Sequence, residues 1–325
     1  MPKIAITDYT FPDLSIEESI LLPQGIAVVS IREKLSPSEL AVLVRDVDAV
    51  ITQFAPVNAE VVNAMTKAKA IVRYGIGYDN VDAAAARERG IPVCNIPDYC
   101  IDEVADHTLA FILAITRQVV PNALHLREGQ WGLATPLSAL SSLKHLTVGI
   151  IGFGRIGREV VKRLLAFKAR VLVFDPVVPA DDITAFGAVA AGSFDELLAQ
   201  SDIVSPHCPS TPKTKHLFNA AAFAKMKRTA AFINVGRGDL ADSAAITEAL
   251  QSGSIAGAAL DVFDPEPIPV DHPIRKMPNV ILAAHIASAS QPAVRTLRET
   301  AARIALQAVL GETVPNVVNG VSSTR

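Results

Sequence analysis

The chain has 325 residues, of which 50% are hydrophobic and 19% are charged, and its formal net charge is -3. A length in this range favours two domains, and so apolar a composition excludes an intrinsically disordered chain. The nearly balanced charge lacks the basic footprint that binding to nucleic acid requires, so we expect no direct nucleic-acid partner.

The cysteines and the apolar segments indicate in which cellular compartment the protein is expected. Cys94, Cys100 and Cys208 form neither an even set nor a Cys-x-x-Cys pair, which argues against a disulfide framework or a thiolate metal site and favours a reducing compartment. No basic start precedes a cleavable apolar stretch, so we expect no signal peptide. The most apolar segment, residues 104–116, is shorter than the ~20 residues that cross a bilayer. The sequence therefore predicts a cytoplasmic protein with no membrane partner and no bound metal.

Short apolar runs alternate with helix-like stretches along the first hundred residues. This alternation is typical of a parallel sheet with helices on both faces, whose buried strands are almost continuously apolar. Ser36, Pro37 and Glu39 form a capping-box sequence that predicts the start of a helix. The predicted strands of this part cover residues 4–7, 27–30, 49–51, 70–74 and 92–95.

The pattern changes near residue 100 and the strands restart near residue 146. We predict one long helix over about residues 102–127 and a last helix over about residues 292–310. The interruption predicts two similar α/β domains. The second series of predicted strands covers residues 147–151, 170–174, 203–205, 231–234, 256–260 and 280–283.

The first strand of the second series runs into a Gly-x-Gly-x-x-Gly segment and then into a helical pattern, which is the context in which this motif binds a dinucleotide. Gly152 permits the tight turn, Gly154 lets the backbone approach a pyrophosphate, and Gly157 allows close helix–strand packing. The helix that starts around Arg155 and Ile156 would hold the pyrophosphate at its N-terminus. A plain glycine turn and a methyltransferase-type nucleotide site are the alternatives.

The next predicted strand ends in Asp175. A carboxylate at this place accepts hydrogen bonds from the adenosine ribose hydroxyls. It would also repel a 2′-phosphate, so the sequence favours NAD over NADP as the cofactor. The alternative is an aspartate that only caps the strand end.

Three polar side chains stand after later strands, where sites of open α/β sheets lie. Arg237 lies between two glycines and could grip a carboxylate with two parallel hydrogen bonds. Glu266 lies between two prolines, and His285 ends the last strand, so the two could form an acid–base pair in which the carboxylate fixes the tautomer. Taken singly, Arg237 could be a solvated loop residue and His285 a structural one.

In these segments the sequence resembles the D-isomer-specific 2-hydroxyacid dehydrogenase family, nearest its branch of C-terminal-binding proteins and phosphoglycerate dehydrogenases. The resemblance covers nearly the whole chain and implies a catalytic triad of Arg237, Glu266 and His285. It implies further cofactor contacts at Asp261, which would bind the nicotinamide carboxamide, and at His207 and Thr108.

The resemblance also implies a substrate site in the segment that contains Gly75 and Ile76. The backbone N–H groups of these two residues would hold the substrate carboxylate, and consecutive amides in a tight loop form an anion-binding nest on physical grounds alone. The alternative is a plain turn between a strand and a helix.

The fold that the resemblance implies is α/β, with two doubly wound parallel-sheet domains and a cleft between them. Residues 1–100 and 290–325 would form a flavodoxin-like substrate domain, and residues 101–289 a Rossmann NAD-binding domain. A homodimer through the cofactor domain is implied as well.

The implied activity is the interconversion of a small D-2-hydroxy acid and its 2-oxo acid with NAD. Formate oxidation is disfavoured, because the formate branch has glutamine where Glu266 stands. Phosphite oxidation remains an alternative, and so does an NAD-sensing interaction protein like the corepressors. Corepressors, however, carry an aromatic residue shortly after the histidine, and residues 286–290 contain none.

Overall fold

The computed structural model describes residues 1–33 and 35–322, and internal contacts divide the chain into two units. The first unit comprises Met1–Tyr99 and the stretch that starts at Ser290, and the second comprises Cys100–Ala289. The last residues of the predicted substrate domain, 323–325, lie outside the described residues.

The strands follow the alternating pattern of the sequence, and the bounds of the predicted ones differ from the prediction by at most one residue. In chain order they are β1 Lys3–Ile6, β2 Ala27–Ser30, β3 Ala49–Thr52, β4 Ile71–Arg73, β5 Val93–Cys94, β6 Thr147–Ile151, β7 Arg170–Phe174, β8 Val189–Ala190, β9 Ile203–Pro206, β10 Ala231–Asn234, β11 Gly257–Leu260 and β12 Val280–Leu282.

The first unit contains a five-stranded parallel sheet in the order β2-β1-β3-β4-β5. This is the flavodoxin-like order. The central strand β3 is buried along its whole length, since helices cover both faces of such a sheet. The segment with Gly75 and Ile76 follows the carboxyl end of β4.

The second unit contains a seven-stranded parallel sheet in the order β12-β11-β10-β9-β6-β7-β8. This is the Rossmann order with one further strand, so the predicted fold class is confirmed. The order reverses between β6 and β9, and ligands of such sheets bind outside the carboxyl ends of the strands at this point. Strand β8, a two-residue edge strand that is not fully buried, was not predicted.

Helices connect the strands, and the predicted capping box is confirmed by a hydrogen bond of 2.9 Å from the Ser36 N–H to the Glu39 carboxylate. The helices are α1 Ser15–Leu21, α2 Pro37–Leu43, α3 Ala59–Ala64, α4 Ala83–Glu88, α5 Ile101–Thr116, α6 Val119–Arg127, α7 Arg155–Ala166, α8 Ala180–Ala185, α9 Phe194–Gln200, α10 Ala220–Lys225, α11 Ser243–Gln251 and α12 Gln291–Leu310.

The prediction of one helix over residues 102–127 is wrong. The chain forms two helices, α5 and α6, whose axes differ by 63°. Gln118 separates them with a φ of 50°, in the left-handed region, where a right-handed helix cannot continue. No single helix within residues 1–33 and 35–322 is long and apolar enough to cross a membrane, although α5 and α6 together meet the requirement of length and composition.

Candidate active site

The glycine-rich turn after β6 packs tightly against the protein on one side and has free space on the other. Gly152 has a φ of +96°, and a Cβ atom on it would lie 2.7 Å from the Cys208 backbone nitrogen. A Cβ atom on Gly157 would overlap the Gly152 carbonyl oxygen. A Cβ atom on Gly154, by contrast, would meet no described atom within 4 Å. The turn therefore needs glycine to pack and leaves space where a ligand can approach the backbone.

Helix α7 starts directly behind this opening. Its first residue is Arg155, and the N-cap position is Gly154, which has no side chain to cap the helix. The N–H groups of the first turn, which includes Ile156, have no partner within the helix, and they stand at the positive end of its dipole. This end of α7 has the properties of a phosphate-binding site.

Asp175 follows β7 and faces the same turn. Its carboxylate accepts hydrogen bonds from the N–H groups of Phe153 (2.7 Å), Val177 (2.8 Å) and Val178 (3.1 Å). Burial alone would raise the pKa of Asp175, but these three donors hold it below its ordinary value. The side chain is therefore ionised at neutral pH, and its oxygens retain lone pairs for further donors.

His207 stands at the end of β9, across the point where the strand order reverses. Its Nε2 atom lies 3.0 Å from the Ser205 hydroxyl, and its Cβ atom lies 3.7 Å from the place where a Cβ of Gly157 would be. Burial lowers the pKa of His207 to about 4, because the charged imidazolium would lose its hydration. The glycine-rich turn is thus bordered by a neutral imidazole whose orientation Ser205 fixes.

Arg237 lies in a turn after β10 that Asn234 holds in shape. The Asn234 side chain donates to the Arg237 carbonyl oxygen (2.8 Å) and accepts from the Gly236 N–H (3.1 Å). Gly238 has no room for a side chain, because a Cβ atom there would overlap the backbone of Phe263. Asn234 was not among the predicted site residues, although an asparagine before Gly-x-Gly is a signal for such a side-chain-to-backbone turn.

Glu266 and His285 form the predicted pair. Glu266 Oε2 lies 2.8 Å from His285 Nδ1, and Glu266 Oε1 accepts a hydrogen bond of 2.8 Å from the Phe263 N–H. Burial tends to raise the pKa of Glu266, but the hydrogen bond and charge of His285, together with the nearby Arg237 charge, keep it below its ordinary value. An ionised carboxylate only accepts, so Nδ1 carries a proton and Nε2 is the atom left to exchange one.

The backbone around His285 is strained and clamped. His285 has a φ of 54°, a left-handed conformation that few residues other than glycine adopt, although histidine adopts it more often than most. Its N–H donates to the Asp261 carbonyl oxygen (2.7 Å), and the Asp261 carboxylate accepts from the N–H groups of Ile286 (2.8 Å) and Ala287 (2.7 Å). Asp261 is fully buried, and each of its two carboxylate oxygens accepts one of these two backbone hydrogen bonds. A contact of Asp261 with a nicotinamide stays a prediction.

Thr108, like Asp261, is a predicted cofactor contact that is fully buried. It lies on α5 with no exposed surface, and its hydroxyl donates a hydrogen bond of 2.7 Å to the Val104 carbonyl oxygen of the same helix. Such back-bonding is common for buried threonine in helices. The predicted role of Thr108 in cofactor binding remains a prediction.

In the first unit, the segment after β4 carries donors without protein acceptors. Gly75 has a φ of +145°, and its N–H donates to the Arg73 carbonyl oxygen (2.9 Å). Within the described part of the chain, the N–H groups of Ile76 and Gly77 donate no hydrogen bond. The donors that this segment offers an anion are thus those of Ile76 and Gly77, while Gly75 supplies the turn.

Comparison with known proteins relates this arrangement to one family. Residues 109–287 match the NAD binding domain of D-isomer specific 2-hydroxyacid dehydrogenases. A glyoxylate reductase of Thermofilum pendens is 41% identical over 287 residues, which are 87% of this chain and 85% of that protein. The chain belongs to the D-isomer specific 2-hydroxyacid dehydrogenase family. It is accordingly an NAD(P)-dependent oxidoreductase that acts on 2-hydroxy and 2-oxo acids.

Solved structures of the family share the fold but differ in their cofactor. The NADPH-dependent glyoxylate/hydroxypyruvate reductase of Sinorhizobium meliloti, in complex with NADP and malonate, is 29% identical, has a TM-score of 0.88 and matches 100% of this chain and 99% of its own. The D-lactate dehydrogenase of Aquifex aeolicus, complexed with NAD and lactic acid, is 27% identical, has a TM-score of 0.84 and matches 95% of this chain and 96% of its own. Family membership therefore leaves the choice between NAD and NADP to the residues of this chain.

Proposed function

We propose that this family member reduces a small 2-oxo acid to the D-2-hydroxy acid with NADH, and that Arg237, Glu266 and His285 form its catalytic triad. The observation that carries the proposal is the contact of 2.8 Å between Glu266 and His285 Nδ1 at the carboxyl end of the Rossmann sheet. A histidine with a purely structural role does not need an ionised carboxylate as its partner. Glu266 lies in a loop that is partly open to solvent.

The acid–base chemistry follows from this contact. Glu266 accepts a hydrogen bond from the Nδ1–H group and stabilises the imidazolium, so His285 can carry a second proton on Nε2. During reduction, Nε2 donates this proton to the oxygen on C2, and during oxidation the neutral ring removes it. Phe263 fixes the other carboxylate oxygen, so the orientation of Glu266 is set before substrate binds.

Arg237 binds the oxo acid and stabilises the negative charge that develops on its oxygen. A guanidinium can bind a carboxylate with two parallel hydrogen bonds, and its charge is permanent. The Ile76 and Gly77 amides bind the substrate carboxylate as further donors. Neither the binding of the carboxylate nor the stabilisation of the charge on the oxygen requires Arg237 or the two amides to lose a proton.

The residues around the glycine-rich turn fit a dinucleotide. The open face at Gly154 and the uncapped start of α7 suit its pyrophosphate, and the Asp175 carboxylate suits ribose hydroxyls. Bound NADH supplies the hydride that C2 of the oxo acid receives. The neutral His207 borders this site without adding a charge.

Asp175 predicts the cofactor preference. An ionised carboxylate gains hydrogen bonds from ribose hydroxyls and repels a 2′-phosphate, and contacts between like charges cost several kcal/mol. We expect kcat/KM for NADH to exceed that for NADPH by roughly 10²-fold. Steady-state kinetics with both cofactors at a saturating oxo acid measure this ratio.

Two variants make the cofactor test specific. Asp175→Asn removes the charge and should bring the ratio close to one, whereas Asp181→Asn, which neutralises an exposed carboxylate of α8, should leave it unchanged. An NADPH preference of the unaltered enzyme would overturn the assignment of Asp175.

The stereochemistry of the product tests the proposed reaction. With hydroxypyruvate and NADH, we expect D-glycerate, identified by chiral chromatography. Formation of the L isomer would contradict the proposal, and turnover of phosphite with NAD in the absence of any oxo-acid reduction would replace it. NADH binding without turnover of any of these compounds would favour the sensor function.

We further infer a homodimer formed through the cofactor domain. Helix α6 and the residues after it expose more large apolar side chains than a solvated surface usually does, and Trp131 is 92% exposed. A second copy of the chain would cover this apolar surface, whose other members are Val119, Leu124, Leu126, Leu133 and Leu137.

A charge in this apolar surface should weaken the dimer. Tryptophan residues at interfaces often contribute at least about 2 kcal/mol, so we expect Trp131→Glu to raise the dimer dissociation constant roughly 30-fold or more. Light scattering across a dilution series measures it. Leu22→Glu, at an exposed apolar residue of the first unit, should leave the mass unchanged. A monomeric unaltered protein would contradict the inference.

A further inference from the structure

The first unit contains a buried polar cluster that the proposed chemistry does not use. Glu17, Tyr74 and Arg298 come from α1, from the residue after β4 and from α12, and they are 0%, 1% and 5% exposed. Charged side chains are almost never buried to this extent unless they are paired.

The three side chains are joined by short hydrogen bonds. Arg298 Nη2 and Nε donate to the Glu17 carboxylate at 2.6 and 2.9 Å, and Arg298 Nη2 also donates to the Asp13 carbonyl oxygen at 2.7 Å. The Tyr74 hydroxyl donates to Glu17 Oε1 at 2.8 Å. Burial and the adjacent Glu17 charge raise the pKa of Tyr74, so the hydroxyl stays protonated and remains a donor.

The aromatic ring of Phe11 completes the cluster. The Arg298 guanidinium lies 4.9 Å from the centre of this ring, and Phe11 meets the Tyr74 ring edge to face at 5.3 Å. A buried ion pair generally gives little net stability compared with apolar side chains of the same volume. In some proteins buried polar and ionic groups instead fix one specific conformation.

The conformation that the cluster fixes is that of the proposed carboxylate-binding segment. Tyr74 directly precedes Gly75, and its own N–H donates to the Thr52 carbonyl oxygen (2.8 Å). On the other side of the segment, Asn95 Nδ2 donates to the Ile76 carbonyl oxygen (2.7 Å). The Tyr74 side chain is thus the anchor on one side of the turn that presents the Ile76 and Gly77 donors.

We propose that the buried Glu17–Arg298 pair, acting through the Tyr74 hydroxyl, positions the Ile76 and Gly77 amides for the substrate carboxylate. Tyr74 is a positioning residue in this account and does not touch the substrate. The inference rests on the proposed function, because the amides are assigned there as carboxylate donors.

The test is Tyr74→Phe, which removes one oxygen atom and keeps the buried ring. A carboxylate contact is equally strong in the ground state and in the transition state, so its loss raises KM and spares kcat. We expect KM for glyoxylate to rise about three- to ten-fold, as for the loss of one hydrogen bond, with kcat within about two-fold of the unaltered enzyme. The inhibition constant of oxamate should rise by the same factor, and the Kd of NADH should not change.

Ile304→Val is the matched control. Ile304 is buried on α12 in the same apolar core, and the loss of its methyl group lowers stability without touching the polar cluster. This variant should lower Tm and keep the KM of the unaltered enzyme. Arg298→Lys, which keeps the charge but loses the two-pronged contact with Glu17, should raise KM in the same way as Tyr74→Phe.

The outcomes separate the positioning role from the proposed function. An active enzyme in which folded Tyr74→Phe keeps the KM for glyoxylate and the inhibition constant for oxamate would overturn the positioning role alone. A change in Tm without a change in KM would also overturn it, since the cluster would then be merely structural. Failure of the unaltered enzyme to reduce any 2-oxo acid would overturn the proposed function instead.

Discussion

Replacing His285 with alanine is expected to lower kcat for oxo-acid reduction by roughly 10²–10⁴-fold, the usual effect of losing a general acid–base group. The proton for the C2 oxygen would then have to come from water. The Kd of NADH should stay the same, because the side chain is not assigned to the cofactor. Stopped-flow or steady-state kinetics and a fluorescence titration with NADH measure the two quantities.

The pH dependence of the rate gives a second readout for the same residue. Because Glu266 has a lowered pKa, it stays ionised from weakly acid to alkaline pH and does not itself change charge in this range. Reduction needs the protonated ring, so its rate should fall as pH rises, while oxidation should become faster over the same interval. Glu266→Gln should move both profiles to lower pH, since the neutral amide stabilises the imidazolium less.

His272 provides the control for a structural histidine. It lies in the same unit, where Nε2 is 3.1 Å from the Ser243 hydroxyl and Nδ1 accepts from the Ile274 N–H at 3.3 Å. We expect His272→Ala to lower Tm and to keep kcat. If His285→Ala behaved in this same way, or if the pH profiles of the two directions ran parallel, the acid–base assignment would fail.

Replacing Arg237 with lysine should reduce kcat/KM for the oxo acid about 10²–10³-fold, a loss similar to that of one donor to a developing oxyanion. Lysine keeps the charge but cannot form two parallel hydrogen bonds with a planar acceptor. Both a higher KM and a lower kcat are expected, because Arg237 serves binding and charge stabilisation. Initial rates over a range of glyoxylate concentrations separate the two.

The matched control is Arg170→Lys. Arg170 lies in the same unit and is exposed, and among its described contacts its guanidinium donates only to the Gln200 side chain. Its replacement should leave both constants unchanged. Normal turnover by Arg237→Lys would mean that another group anchors the substrate.

The strand ends and their polar residues could be predicted because each signal is local. A buried parallel strand is a short apolar run, and the carboxyl ends of such strands share one edge of the sheet. Placing Arg237, Glu266 and His285 after successive strands therefore predicted their proximity without any coordinates. The left-handed backbone at His285 could not be predicted in this way, since it depends on the Asp261 clamp.

Features that depend on a single residue, or on residues far apart in the chain, could not be predicted from the sequence. The bend at Gln118 interrupts a helix at a residue that is neither glycine nor proline, so the residue type did not indicate it. The Glu17–Arg298 contact joins residues at opposite ends of the chain, and only the fold brings them together. The hydrogen bond from the Gly75 N–H to the Arg73 carbonyl oxygen could not be predicted either. Residue types alone do not determine which N–H groups of a turn have a protein acceptor.

The central claim is that this chain reduces small 2-oxo acids with NADH through His285. The most direct measurement follows NADH consumption by the purified protein with glyoxylate, hydroxypyruvate and pyruvate, with His285→Ala assayed beside it. We expect turnover of at least one of these acids by the unaltered enzyme and a loss of roughly 10²–10⁴-fold in the variant, with NADH still bound by both. NADH binding without turnover of any of the three, or equal rates for the two proteins, would contradict it.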